Sequence, residues 1–145
     1  MTTRLYIKGK HRSGKTKSAK SELVAFDFDN CFIFGRHSEY KLPGAFANKK
    51  NMKFFSQEQI ELSQVLFDMK EIAAEVKKET STRSPLNEKS ILVIDQFLNE
   101  SDIPILEDMI NVVQEYNMSV IITQQSPEIE NIVRPLCDLE KEIII

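Results

Sequence analysis

Short apolar runs alternate along this chain with segments whose apolar positions recur every three or four residues. Arg4–Lys8 reads as a buried strand, and Lys15 to about Glu22 as a short helix. Leu23–Asp29 predicts a second strand, apolar at first and ending in carboxylates, which Cys31–Phe34 either continues or follows as a strand of its own. Residues 35–55, with Gly35, Pro43, Gly44 and a Lys/Asn cluster, read as a long loop, a length that in a compact domain goes with function or mobility. Ser56-Gln57-Glu58-Gln59 has the form of a capping box. The helix expected after it keeps Ile60, Leu62, Val65, Leu66, Met69, Ile72, Ala73 and Val76 near one face. It should end near Lys77 and Lys78, whose charges suit a helix C-terminus.

Glu79–Lys89 is polar, contains Pro85, and reads as a loop. Ser90–Asp95 is a buried strand ending in an acid; a helix over Ile103–Tyr116 and a strand over Ser119–Thr123 follow. Pro127 can open a short helix carrying Ile129, Ile132 and Val133, and Glu142–Ile145 closes the pattern as a last strand. Strands alternating with helices imply parallel strands joined by right-handed crossovers. The expected fold is α/β, three-layered, with a mostly parallel central sheet flanked by helices, as one domain over residues 1–145.

The segment between the first strand and the first helix carries the most specific chemistry. Gly9-Lys10-His11-Arg12-Ser13-Gly14-Lys15-Thr16 is a complete G-x-x-x-x-G-K-[ST] phosphate-binding loop, or Walker A motif, in the strand–loop–helix context that it requires. The chain has only 4 glycines, and two of them fill the two motif positions. Glycine there lets backbone N–H groups curl round a phosphate, and the following helix points its positive end at the same anion. Lys15 is expected to reach the β- and γ-phosphates, and the Thr16 hydroxyl to bind Mg²⁺. The motif predicts a P-loop NTPase that binds a nucleoside triphosphate, with ATP and Mg²⁺ as ligands.

Composition narrows the class. The chain has 145 residues, 41% hydrophobic and 28% charged, which is ordinary for a soluble globular domain with a sizeable core. No apolar run approaches the roughly 20 residues needed to span a bilayer, and no signal peptide is visible. Cys31 and Cys137 lack pairing or ligand spacing, which predicts reduced core thiols and a cytoplasmic location. His11 and His37 stand beside basic residues and are not expected to hold a metal. The net charge of −3 does not advertise nucleic-acid binding. Lys8, Lys10, Arg12, Lys15, Lys17 and Lys20 nevertheless surround the phosphate loop, and Lys49, Lys50 and Lys53 form a second basic cluster able to touch a nucleic-acid backbone or simply to be solvated.

Two further features fall at strand ends, where ligands bind in such sheets. Asp95 follows four apolar residues in the Walker B pattern, and its carboxylate is expected to hold Mg²⁺; the alternative is a helix cap. Thr123-Gln124-Gln125 closes a later strand, and an amide there can bond the γ-phosphate or the attacking water, unless it is an ordinary polar turn.

A strand-terminal Asp followed by strand–Thr-Gln resembles the FtsK–HerA superfamily of nucleic-acid translocating ATPases, which includes conjugative coupling proteins and viral packaging ATPases. Leu23–Asp29 looks like that family's strand with an acidic turn, Ile91–Asp95 like its Walker B, and Ile121–Gln124 with Pro127 like its sensor strand. The resemblance implies a RecA-like (ASCE) ATPase driving DNA translocation or packaging, assembled as a homo-oligomer, in the host cytoplasm or virion-associated if viral. Gln124 would then be the γ-phosphate sensor, and Arg134 the candidate arginine finger acting on a neighbouring subunit.

Two departures stand out. The family places Glu directly after the Walker B Asp, whereas this chain has Gln96, and an amide cannot accept a proton in the same way. Either another carboxylate serves, with Asp27 and Asp29 as candidates, or hydrolysis is slow. The chain is also short for a motor. Two other readings therefore stay open. Ile94-Asp95-Gln96-Phe97 is loosely similar to the Walker B region of type II thymidine kinases, whose lid would need Arg36 or Arg83; and Gln96 suits a non-hydrolysing, nucleotide-gated switch.

Overall fold

Six strands, all parallel, form the sheet in the order β3-β2-β4-β5-β1-β6. The computed structural model describes residues 2–10, 14–36, 40, 52–57, 60–75 and 85–143. In chain order the elements are β1 (Arg4–Gly9), α1 (Lys15–Ala25), β2 (Asn30–Gly35), β3 (Met52–Ser56), α2 (Leu62–Glu75), β4 (Ser90–Asp95), α3 (Ile103–Glu115), β5 (Ser119–Thr123), α4 (Pro127–Val133) and β6 (Leu139–Ile143). Short 3₁₀ turns at Glu100–Asp102 and Arg134–Leu136 flank α3 and follow α4.

Strands covered on both faces need apolar residues at every position, and β2, β4 and β5 are buried along their whole length. Alternate residues feed two cores. Tyr6, Phe32, Phe34, Leu92, Ile94, Val120 and Ile122 point to the layer of α2, α3 and α4. Leu5, Ile7, Cys31, Ile33, Ile91, Val93 and Ile121 point to Ala19 and Leu23 of α1. The edge strand β6 is mostly exposed, and its charges guard the open edge against further pairing. Glu140 bonds Lys8 at 3.3 Å and Arg134 at 3.7 Å, while Lys141 meets Glu22 at 3.6 Å.

The α/β expectation holds, with every strand pair parallel, but three local expectations do not. Leu23–Ala25 belongs to α1, and the second strand is Asn30–Gly35. Leu23 lies one turn beyond Ala19 and shares its buried face, while Val24 is 40% exposed, so a surface valine made a helix end look like an apolar strand. Within the expected 35–55 loop, Met52–Ser56 is an edge strand paired only with β2. Ser56 ends that strand and α2 begins at Leu62; Gln59, the other half of the expected capping box, lies outside the described residues. The last strand is Leu139–Ile143, earlier than expected. Val76–Ser84, which include the expected helix end and Arg83, and Ile144 and Ile145 lie outside the described residues, as do His37, Pro43, Gly44, Lys49 and Lys50.

Both cysteines are buried and unpaired. Burial raises the Cys31 thiol far above its ordinary range and pushes Cys137 up to about 11, which makes both poor nucleophiles. Among the described residues, no helix is long and apolar enough to cross a membrane.

Candidate functional site

All six strands run the same way, so their carboxyl ends lie along one edge of the sheet. The register fixes what meets there. Ile7 is level with Thr123, Ile94 with Ile122, and Gly35 with Asp95. The end of β1, the Thr123–Gln125 segment and Asp95 are thus side by side across three adjacent strands. Neighbouring strands are spaced by roughly 4.8 Å, so Gly9 and Asp95 are separated laterally by about two spacings, with Gln124 between them.

Gly9 and Lys10 lead out of β1, and His11, Arg12 and Ser13 lie outside the described residues. The chain returns at Gly14, whose φ of +99° falls in the left-handed region that favours glycine. Gly14 caps α1, and its carbonyl accepts the Ser18 N–H at 2.9 Å. The first amides of α1 have no partner within the helix and point back toward the loop. Lys15 reaches back to the end of β1: its Nζ donates to the carbonyl oxygens of Gly9 at 2.8 Å and Lys10 at 3.2 Å. Thr16 follows in the first turn of α1 and is half-buried.

Gln124 is tied to this loop from the neighbouring strand, its Oε1 accepting the Gly9 N–H at 2.8 Å. Asp95 is buried at the end of β4. Ile91 and Val93 face the α1 side, and strand alternation carries Asp95 to that same side. Its Oδ2 accepts a hydrogen bond from the Tyr40 hydroxyl at 2.7 Å. Among the described residues there is no group of three or more His, Cys, Asp or Glu side chains that could hold a metal alone. A hydroxyl at Thr16 and a carboxylate at Asp95 are instead hard oxygen donors of the kind Mg²⁺ takes beside phosphate and water.

The other candidates sit elsewhere. Asp27 and Asp29 precede β2, and Asn30 is level with Ser90 at the start of β4. They therefore lie at the opposite edge of the sheet, roughly 16 Å from the Asp95 level over five residue rises, which removes them as bases at this site. Asp27 meets Lys89 at 3.6 Å there, and the Asp29 N–H bonds the Lys89 carbonyl. Arg134 lies on the face away from α1, its guanidinium 5.5 Å from the Tyr6 ring centroid and paired with Glu140. Arg36 is exposed just past β2 at the carboxyl edge.

Two residues that sequence reasoning did not single out are central to the geometry. Tyr40 was one tyrosine in an expected loop, with no pattern to mark it. Gln125 was visible only as the second of two glutamines. It is 3% exposed and cross-braces the strand ends. Its Oε1 accepts the Leu98 N–H at 2.8 Å, and its Nε2 donates to the carbonyls of Gln96 at 2.6 Å and Thr123 at 3.1 Å. Its own N–H donates to the Tyr6 hydroxyl at 2.9 Å, a phenol that burial pushes up to about 12.

Fold and strand-end side chains together define an α/β protein with a six-stranded parallel sheet flanked by helices. Compared with known proteins, the chain matches no protein-family model and no curated protein.

Proposed function

We propose that the chain is a P-loop NTPase that binds ATP with Mg²⁺ at the carboxyl edge of the sheet. The observation that carries this reading is Lys15, whose ammonium bonds the carbonyls of Gly9 and Lys10 across a loop that re-enters the helix through left-handed Gly14. That arrangement keeps a cation at the carboxyl end of β1 beside the start of α1, where a β- or γ-phosphate would replace the two carbonyls as its partner. Thr16 and Asp95 would hold Mg²⁺, which supplies charge neutralisation to the phosphates when bound. Gln124 stands between the loop and Asp95, so an amide already bonded to the loop is available to a γ-phosphate or a water. A sensor strand lying between the loop strand and the Asp95 strand is in keeping with the RecA-like order.

ATP hydrolysis driving DNA translocation or packaging by a homo-oligomer is the activity we propose, supported by the FtsK–HerA-like pattern of motifs. For Arg134 to serve as a finger in trans, it must leave Glu140 and the Tyr6 ring. A second reading, a non-hydrolysing nucleotide switch, is favoured by one observation: Gln96 stands after Asp95, and Asp27 and Asp29 are at the far edge. Phosphate release measured with and without DNA, beside phosphate transfer to nucleosides, separates these readings. DNA-stimulated release supports the motor, transfer supports a kinase, and binding without turnover supports the switch.

Asp95→Asn should weaken Mg²⁺-dependent ATP binding on the order of 100-fold and leave metal-free binding nearly unchanged, because the amide keeps the shape and loses the charge. Calorimetry in Mg²⁺ and in EDTA checks this. Equal losses in both conditions would make Asp95 a structural residue.

Gln96→Glu should raise hydrolysis under the motor reading, since a general base contributes on the order of 10²–10⁴-fold where the site is shaped for it. Intact binding with no gain in phosphate release would favour the switch.

A further inference from the structure

We propose that Tyr40 is a positioning residue for Asp95, holding one carboxylate oxygen so that the other is presented to Mg²⁺ on the α1 face. The inference rests on the assignment of Asp95 to the metal and deepens it. The Tyr40 hydroxyl donates to Oδ2 of Asp95 at 2.7 Å, and the two residues are 2% and 5% exposed. A carboxylate held this way by a charge-assisted hydrogen bond loses its freedom to turn, and a ligand already oriented needs no reorganisation when a cation arrives.

The ring that carries the hydroxyl is itself fixed. Gly35 lies level with Asp95 in the neighbouring strand, and a methyl group there would sit 3.5 Å from the ring's Cε2. The Phe54 ring packs with its centroid 6.2 Å away. The Lys20 ammonium lies 5.5 Å from the ring centroid, within cation–π range. Lys20 follows Thr16 by one helical turn, so the two share a face of α1. Tyr40 therefore touches both the helix bearing one candidate metal ligand and the strand bearing the other. A purely packing tyrosine would also place its hydroxyl on the nearest acceptor. The distinction lies in whether the hydroxyl matters to the cation specifically.

Tyr40→Phe removes the hydroxyl and keeps the ring. Binding of a non-hydrolysable ATP analogue would be measured by calorimetry across a Mg²⁺ series and in EDTA, for wild type, Tyr40→Phe and Asp95→Asn. The expected result is that Tyr40→Phe loses about tenfold of the Mg²⁺-dependent affinity, the scale of removing a partner from a metal-ligating group, with metal-free affinity within twofold of wild type. If Asp95→Asn loses the Mg²⁺ dependence while Tyr40→Phe retains all of it, the positioning role is overturned and the metal assignment stands. If Asp95→Asn also retains it, the metal assignment fails and takes the positioning role with it. Loss of folded circular dichroism in Tyr40→Phe, or equal weakening with and without Mg²⁺, would make the hydroxyl structural and overturn the proposal.

Discussion

Lys15→Ala should lose ATP affinity by roughly 30- to 1,000-fold while its circular dichroism spectrum stays that of the wild type. The magnitude follows from removing one partner of a charge pair in a partly enclosed site, worth about 2–4 kcal/mol, at 1.4 kcal/mol per decade of affinity. The fold should survive because Lys15 is half-buried and, among the described residues, gives its ammonium only to the Gly9 and Lys10 carbonyls, the latter contact exposed. Water can take over both carbonyls, so the stability cost should stay below about 1 kcal/mol. No core side chain in the α1 layer is lost, since Ala19 and Leu23 carry that packing. Unchanged ATP affinity by calorimetry would show that Lys15 serves the loop's own structure and that the phosphate-loop assignment is wrong.

The carboxyl-edge arrangement could be read from the sequence because parallel strands buried on both faces announce themselves as unbroken apolar runs. Ser90–Asp95 and Ser119–Thr123 were placed with the bounds that the structure has, and their polar terminal residues fell together at one edge. The helix expected over Ile103–Tyr116 likewise matches α3, whose Leu106, Met109, Val112 and Val113 are buried. What resisted reading lay where burial and pattern part company. Val24 is apolar but solvent-facing, so it disguised the end of α1; this displaced the second strand and put Asp27 and Asp29 at the wrong edge of the sheet. β3 pairs on one side only and is half-exposed over Met52–Phe54, so its pattern was too weak to outweigh the surrounding Lys and Asn residues. Tyr40 reaches Asp95 across 55 positions of sequence, a contact that periodicity cannot encode. Gln124 and Gln125 are chemically identical neighbours, and only the backbone's turn at the end of β5 decides which one is buried.

That division between the two glutamines gives the largest expected effect on stability. Gln125→Leu should destabilise the protein by about 2–3 kcal/mol and lower Tm by roughly 7–10 °C, the shift expected for a domain of this size. The substitution conserves volume but strips out the amide, leaving the buried Leu98 N–H without its acceptor and the Gln96 and Thr123 carbonyls without their donor. A buried group left unpaired costs about 1–3 kcal/mol, and the burial of an apolar side chain in place of the amide offsets part of the sum. Gln124→Leu should behave differently. Gln124 is half-buried and, among the described residues, makes a single bond, to the Gly9 N–H, so its replacement should shift Tm by only a few degrees while altering nucleotide binding or turnover. Thermal denaturation of the two variants side by side makes the comparison direct. A Gln125→Leu protein as stable as wild type, or a Gln124→Leu protein more destabilised than it, would mean that the brace between the ends of β4 and β5 is not what holds Gln96 and Asp95 in place.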